Sequence, residues 1–261
     1  MSLMYIISRI QDGHIDPNPK WGVPEEEVVS NRTKLMSSRG LKNFVRMRAV
    51  HGNEVHVITG GNRAQWENKL MGGPVGDALV TKLLNIGLEC DPGDCAMYIF
   101  FHGPSGTVGL AHSGREGSIR KVAVKTVEVM ASYNGCSLEQ YVGDVRIIQA
   151  PAICAEHYRM DYLDVPRDDV EDWRPHLQGA FDVESTDKEN YVRLRGRDGP
   201  MGIDFVGYNA SQLCKIGIKK EHLQLSSVCT YESEDYPSHH KAEVEGAKNG
   251  RFMVMAWMSD N

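Results

Sequence analysis

The sequence predicts an α+β fold, and three observations carry that reading. Apolar runs of strand length, such as Ala96 to Phe101 and Val145 to Ala150, are interspersed with stretches of helical periodicity. The two kinds of segment do not alternate in a strict strand–helix–strand order, which argues against a doubly wound parallel sheet. No internal repeat or low-complexity tract interrupts them, which argues against a solenoid or a long linker.

In chain order, an apolar start is followed by a loop rich in Pro and Gly from Asp16 to Pro24. A helix is expected from about Glu25 to Ser38, ended by Gly40. Residues Val50 to Gly60 read as a strand that begins Val50-His51-Gly52, and Asp77 to Thr81 as a short buried strand followed by loop up to Asp94. Ala96 to Phe101 and Thr107 to Ala111 form a hairpin about the turn Gly103-Pro104-Ser105-Gly106. The turn Ser113 to Gly117 opens one helix, with Ile119, Val122, Ala123, Thr126, Val127 and Met130 at helical spacing and Gly135 at its end. Val145 to Ala150 is a strand, Asp161 to Asp187 a loop with a short helix, Gly207 to Ile216 a helix, and Arg251 to Trp257 a core strand.

At 261 residues the chain can bury a substantial core as one large domain or two small ones. A net charge of -6 excludes a surface built to coat nucleic acid, while leaving room for a local basic pocket. No apolar stretch approaches the roughly 20 residues that span a bilayer, and the first residues are too short and wrongly flanked for a secretory signal. Six cysteines without a CxxC pair then read as free thiols of a reducing cytoplasm, most of them small buried hydrophobes.

The hairpin concentrates the chemistry. Folding it about the midpoint of Gly103 and Pro104 sets Cys95 opposite His112, and centring it between Pro104 and Ser105 keeps the two on one face as diagonal neighbours. In either register a thiolate and an imidazole could share a proton or a metal ion. A helix entrance directly after His112 would add unpaired N–H groups that favour an anion. Arg115, at that entrance, is the first phosphate-binding candidate. His239-His240, adjacent on an extended segment, would point to opposite faces and reads as a polar loop.

An ordered set of short strings resembles the laccase-domain, YfiH-like family, called multicopper polyphenol oxidases in older usage and associated with purine nucleoside phosphorylase activity. The set runs through Asn31-Arg32, Val50-His51-Gly52, Asp77 to Thr81, Asp94-Cys95, Ala111 to Gly114, Ala150-Pro151 with Tyr158, Asn209 with Gln212-Leu213, Cys229 to Glu232, Ser238 and Gly250-Arg251. The resemblance implies one CNF/YfiH-like domain over residues 1–261, matched from about residue 28, with mixed sheets in a sandwich-like core flanked by helices. It places the family's catalytic and metal-binding triplet on His51, Cys95 and His112, and so selects His51 over His56. Three ligands of these types leave a tetrahedral position open, as in catalytic zinc sites. Arg32, Arg115, Lys241 and Arg251 become candidates for binding substrate and phosphate. Departures from the family pattern fall on substrate-lining positions: Arg115-Glu116 where a Trp and then a cation are usual, Ala49 for a glutamine, His240 and Lys241 for an arginine pair, and no Gly-Gly-Val-Ser loop.

The activity implied is zinc-dependent phosphorolysis of adenosine, inosine or guanosine, with adenosine deamination as a side activity. The partners are then a purine nucleoside and phosphate, with neither nucleic acid nor membrane, in a monomer or homodimer. Three alternatives stand beside it: a metal-free hydrolase in which His112 activates Cys95, a copper-dependent polyphenol oxidase, and a non-catalytic relative that keeps the metal site. The chain lacks the His-x-His pairs that hold several coppers, so copper enters only as an alternative ion at one site.

Overall fold

A computed structural model describes residues 1–158, 192–194 and 201–260. The loop and short helix expected over Asp161 to Asp187 lie outside the described residues.

Two mixed sheets make the frame. One has the order β11-β8-β6-β7-β4-β3, built from β3 (Val55–Ile58), β4 (Ala78–Thr81), β6 (Ala96–His102), β7 (Thr107–Ser113), β8 (Val145–Gln149) and β11 (Leu223–Gln224). The other has the order β1-β12-β5-β2, built from β1 (Ser2–Ile7), β2 (Asn43–Arg46), β5 (Ile86–Cys90) and β12 (Val254–Ser259). A two-stranded ribbon pairs β9 (Val192–Leu194) with β10 (Met201–Ile203). The described helices are α1 (Glu25–Ser37), α2 (Arg115–Ile119), α3 (Val122–Tyr133), α4 (Leu138–Val142), α5 (Phe205–Lys215) and α6 (His239–Glu245).

Strand alternation sorts side chains into layers. On β12, Val254, Ala256 and Met258 join Leu79, Met97, Ile99 and Leu110 in a core between the two sheets. Met255 and Trp257, on the reverse face, pack with Met36 of α1. On β6, Tyr98 and Phe100 turn the other way, onto Val127 and Met130 of α3. The order of layers is therefore α1, four-stranded sheet, six-stranded sheet, α3. Because both faces of β6 and β12 are covered, their sequences are apolar throughout rather than alternating. Gly109 lets α3 approach β7, since a Cβ there would lie 3.0 Å from the Met130 sulfur.

The α+β class and mixed sheets are as the sequence predicts, and four local features differ. The strand expected over Val50 to Gly60 is confined to β3, because His51 has φ +61° and cannot continue a ladder. The loop expected before the hairpin contains β5. The single helix expected after His112 is two, broken at Lys121 with φ +57°. His239-His240 opens α6 rather than a loop, with the Ser238 hydroxyl accepting the Lys241 N–H at 3.1 Å as the N-cap.

Candidate metal centre

The hairpin register is Met97↔His112 and Ala96↔Ser113, so its centre falls between Pro104 and Ser105. This is the second of the two registers open to the sequence, with Cys95 and His112 as diagonal neighbours on one face. His112 shares the parity of Leu110 and Val108, and therefore points into the seam between the sheets. Asp77, two residues before Leu79, points into the same seam.

Asp77 organises the rest. Its fully buried carboxylate accepts the N–H groups of His51 at 2.9 Å and Gly52 at 2.7 Å, and that of Val50 at 3.2 Å. The same carboxylate lies 3.0 Å from Nδ1 of His112, while the His112 N–H donates to the Asp77 carbonyl at 2.8 Å. One side chain thus curls the 50–52 loop into the left-handed region at His51 and orients the His112 ring. A left-handed residue with a side chain costs about 1–2 kcal/mol, which these charge-assisted bonds offset.

His51, Cys95 and His112 present ligand atoms that all lie within 4.8 Å of one another. The two imidazole rings stand 5.0 Å apart at an interplanar angle of 74°. Gly114 marks the point of convergence: a Cβ there would lie 2.9 Å from Cδ2 of His51, 3.0 Å from the Cys95 sulfur and 3.7 Å from Cε1 of His112. A tetrahedral zinc requires such donors about 3.4–3.8 Å apart, a closure within reach of side-chain rotation. One thiolate and two imidazoles suit zinc or copper, and the Asp77–His112 contact is the carboxylate–histidine pairing that steadies metal ligands. The donor set therefore fits a metal ion with an open position.

Electrostatics within the centre are strongly coupled. Burial pushes the Cys95 thiol up, but His112 and then His51 pull it down further, to about 6. Burial also disfavours a cation at His112, yet the Cys95 thiolate and the Asp77 carboxylate outweigh it and raise the group to about 9. Asp77 is lowered despite burial, through His112 and the Gly52 N–H. Without metal, the pair is a thiolate and an imidazolium.

The centre lies in a cleft of about 610 Å³, within the roughly 300–1,000 Å³ typical of small-molecule sites. Arg115 and Arg251 line it, as do Arg46, Arg48 and Tyr158. The Arg251 guanidinium packs over Trp21 at 5.3 Å. Tyr158 stands edge-on to Phe205, and burial raises its phenol to about 12, so it remains a hydrogen-bond donor. Glu116, whose charge beside Arg115 is unfavourable to an anion, turns its carboxylate to Arg120 at 3.5 Å.

Two sequence candidates are not brought to the cleft. Arg32 lies on the opposite face of the four-stranded sheet, 2% exposed, where it pairs with Glu89 and approaches Asp91 at 3.6 Å. It lines a separate cavity of about 310 Å³ beside α1 and is withdrawn as a phosphate ligand. Lys241 projects over the Tyr231 ring at 5.8 Å, outside the cleft lining. The helix entrance expected to bind an anion belongs to α2, only five residues long, whose dipole is correspondingly small. His56, set aside in favour of His51, contacts the Val75 carbonyl through Nε2 at 2.8 Å.

Asp77, Gly114, Arg46 and Arg48 are site residues that the sequence reading did not single out. Asp77 stood at the head of an expected strand and in one of the strings that carry the family resemblance, but its partners lie 25–35 residues away.

Comparison with known proteins is consistent with this architecture. The profile of a family described as multi-copper polyphenol oxidoreductase laccase matches residues 18–259. A protein of Deinococcus radiodurans named purine nucleoside phosphorylase is 26% identical over 239 residues, covering 91% of this chain and 78% of its own. Purine nucleoside phosphorylase YlmD of Bacillus subtilis is 24% identical, covering 90% and 79%. Among solved structures, Bacillus licheniformis YfiH superposes with a TM-score of 0.80 at 20% identity, covering 98% of this chain and 93% of that one. No helix among the described residues is long and apolar enough to cross a membrane.

Proposed function

The chain belongs to the multi-copper polyphenol oxidoreductase laccase family, and from that premise we propose that it cleaves the N-glycosidic bond of purine nucleosides with phosphate. The observation that carries the proposal is the convergence of His51, Cys95 and His112 on one point inside a cleft bordered by Arg115 and Arg251.

His51, Cys95 and His112 hold the metal ion in this reading, and Asp77 keeps Nδ1 of His112 engaged so that Nε2 is the ligating nitrogen. When bound, zinc supplies Lewis-acid polarisation of an oxygen nucleophile. Arg115 and Arg251 supply positive charge for a phosphate, and Arg120 pairs with Glu116 at 3.5 Å. Phosphate forms the new bond to the anomeric carbon as the bond to the purine nitrogen breaks, and the purine leaves with the proton that hydrogen phosphate gives up. The Tyr158 phenol, kept protonated by burial, donates to oriented ligand oxygens rather than acting as an acid.

The test is product analysis with adenosine, inosine and guanosine, with and without phosphate, on the zinc-loaded parent and Cys95→Ala. Phosphate-dependent release of base that disappears in Cys95→Ala supports the proposal. Equal release by both proteins overturns it.

A second reading rests on the thiolate–imidazolium pair: His112, braced by Asp77, could serve a metal-free Cys95 nucleophile. Stoichiometric zinc with an unreactive Cys95 favours the first reading, and rapid alkylation of fully active, metal-free protein favours the second.

A further inference from the structure

A second group of soft ligands stands apart from the centre described above. Cys154, His157 and Cys229 also present ligand atoms within 4.8 Å of one another. The Cys154 sulfur lies 3.2 Å and the Cys229 sulfur 3.8 Å from Nδ1 of His157, and a Glu232 carboxylate oxygen lies 3.5 Å from that same nitrogen. Four donors around a tetrahedral zinc stand about 3.4–3.8 Å apart. We propose that Cys154, His157 and Cys229 form a second binding site for a zinc-class divalent ion.

The backbone builds this cluster. The Cys154 carbonyl accepts N–H groups from His157 at 3.1 Å and Tyr158 at 2.8 Å, a tight turn that brings the sulfur and imidazole of a C-x-x-H segment to one side. The second thiol arrives on a segment locked in register, because Ala152 bridges Cys229 and the Thr230 N–H donates to the Ala152 carbonyl at 3.1 Å. The Cys154 N–H points at the Cys229 sulfur at 3.2 Å, the kind of contact that steadies a thiolate. The His157 ring is stacked on Tyr231 at 4.4 Å and 13°, and the Tyr231 hydroxyl donates to Glu245 at 2.7 Å. The two cysteines are free thiols, so no disulfide occupies their sulfurs.

Two thiols and an imidazole suit a zinc-class ion, and the Glu232 carboxylate stands beside them, 3.5 Å from the His157 nitrogen. Such an ion would pin the Cys154–Tyr158 turn to the Cys229–Glu232 turn. Those turns carry Tyr158 of the cleft wall and Thr230, whose hydroxyl donates to Asp94 at 2.6 Å, beside Cys95.

The test uses cobalt(II) as a zinc probe on the full chain under reducing conditions, reading bound metal and the sulfur-to-cobalt charge-transfer band. Cys95→Ala is expected to keep one equivalent of cobalt and the band, and Cys95→Ala/Cys229→Ser to lose both. Cys95→Ala/His157→Ala, altered at a partly exposed side chain, should also lose the equivalent while circular dichroism stays unchanged. Loss of all cobalt in Cys95→Ala overturns the second site, as does survival of the band without Cys229 or its replacement by a disulfide that leaves no metal after reduction. Failure of the reading proposed above gives a different pattern: the parent and Cys95→Ala then bind the same number of ions.

Discussion

Replacing Asp77 by Asn keeps the shape of the side chain and removes its ability to accept on every side. If the amide oxygen stays toward His51 and His112, the amide nitrogen faces the Gly52 N–H, now 2.7 Å away, and donor meets donor. If the amide flips, its nitrogen faces Nδ1 of His112 and selects the tautomer whose proton sits on Nε2, where the metal should bind. The first outcome forfeits a charge-assisted bond worth about 1.5–3 kcal/mol. It also leaves the left-handed His51 without full support, a strain of about 1–2 kcal/mol. We therefore expect Asp77→Asn to lose about 2.5–5 kcal/mol of metal-free stability, measured by urea denaturation. Zinc affinity, measured by chelator competition, should fall about 10–100-fold, the range for removing a partner that orients a ligand. A variant with parental stability and zinc affinity within twofold of the parent would refute the claim that Asp77 builds the site.

Three further outcomes follow from the geometry. Gly114→Ala places a Cβ 2.9 Å from the His51 ring and 3.0 Å from the Cys95 sulfur, so turnover and zinc content should drop sharply in a protein that still folds; normal turnover would show that the three donors do not converge there. In metal-free protein the Cys95 thiol lies near 6, below its ordinary value, so its thiolate is present above that pH: peptide-resolved alkylation should reach half its maximal rate near pH 6, whereas a rate still climbing at pH 9 contradicts the pairing with His112. Arg32→Leu removes the nearest partner of the buried Glu89, leaving Arg46 at 3.8 Å, and should cost about 3 kcal/mol of stability with KM for phosphate unchanged, while Arg115→Gln should raise that KM with little change in melting temperature; the reverse pattern would reinstate Arg32 as a ligand.

What the sequence revealed, and what it hid, follows from where each partner lies along the chain. The hairpin was legible because β6 is buried on both faces and Gly103-Pro104-Ser105-Gly106 can hardly be anything but a turn. The register was open between two values that differ by half a residue, and no residue type in the turn separates them; the strands pair about the Pro104–Ser105 midpoint. β5 was missed because Gly87 and Glu89 break its apolar run. Gly87 is there because a Cβ would meet the Met255 sulfur at 2.6 Å, and Glu89 because α1 delivers Arg32 to it. Arg32 looked like a phosphate ligand for the same reason, since its carboxylate partner lies 57 residues away. The helix after His112 was legible in its apolar face but not in its break, because Lys121 gives no local warning of a left-handed backbone. His51 came from family resemblance alone, and the carboxylate that places it was visible only once the strands were paired.

The hairpin tip has a reach that its position conceals. Cys95 and His112 share a face because the pairing about the Pro104–Ser105 midpoint sets Cys95 two residues, an even number, out of step with His112. At about 3.3 Å per strand residue, that tip is more than 20 Å from the sulfur. Lengthening or shortening it by a single residue reverses the parity of one arm and sends one of the two groups toward α3 instead of the seam. The loop most remote from the ligands thus behaves as the ruler that decides whether they meet.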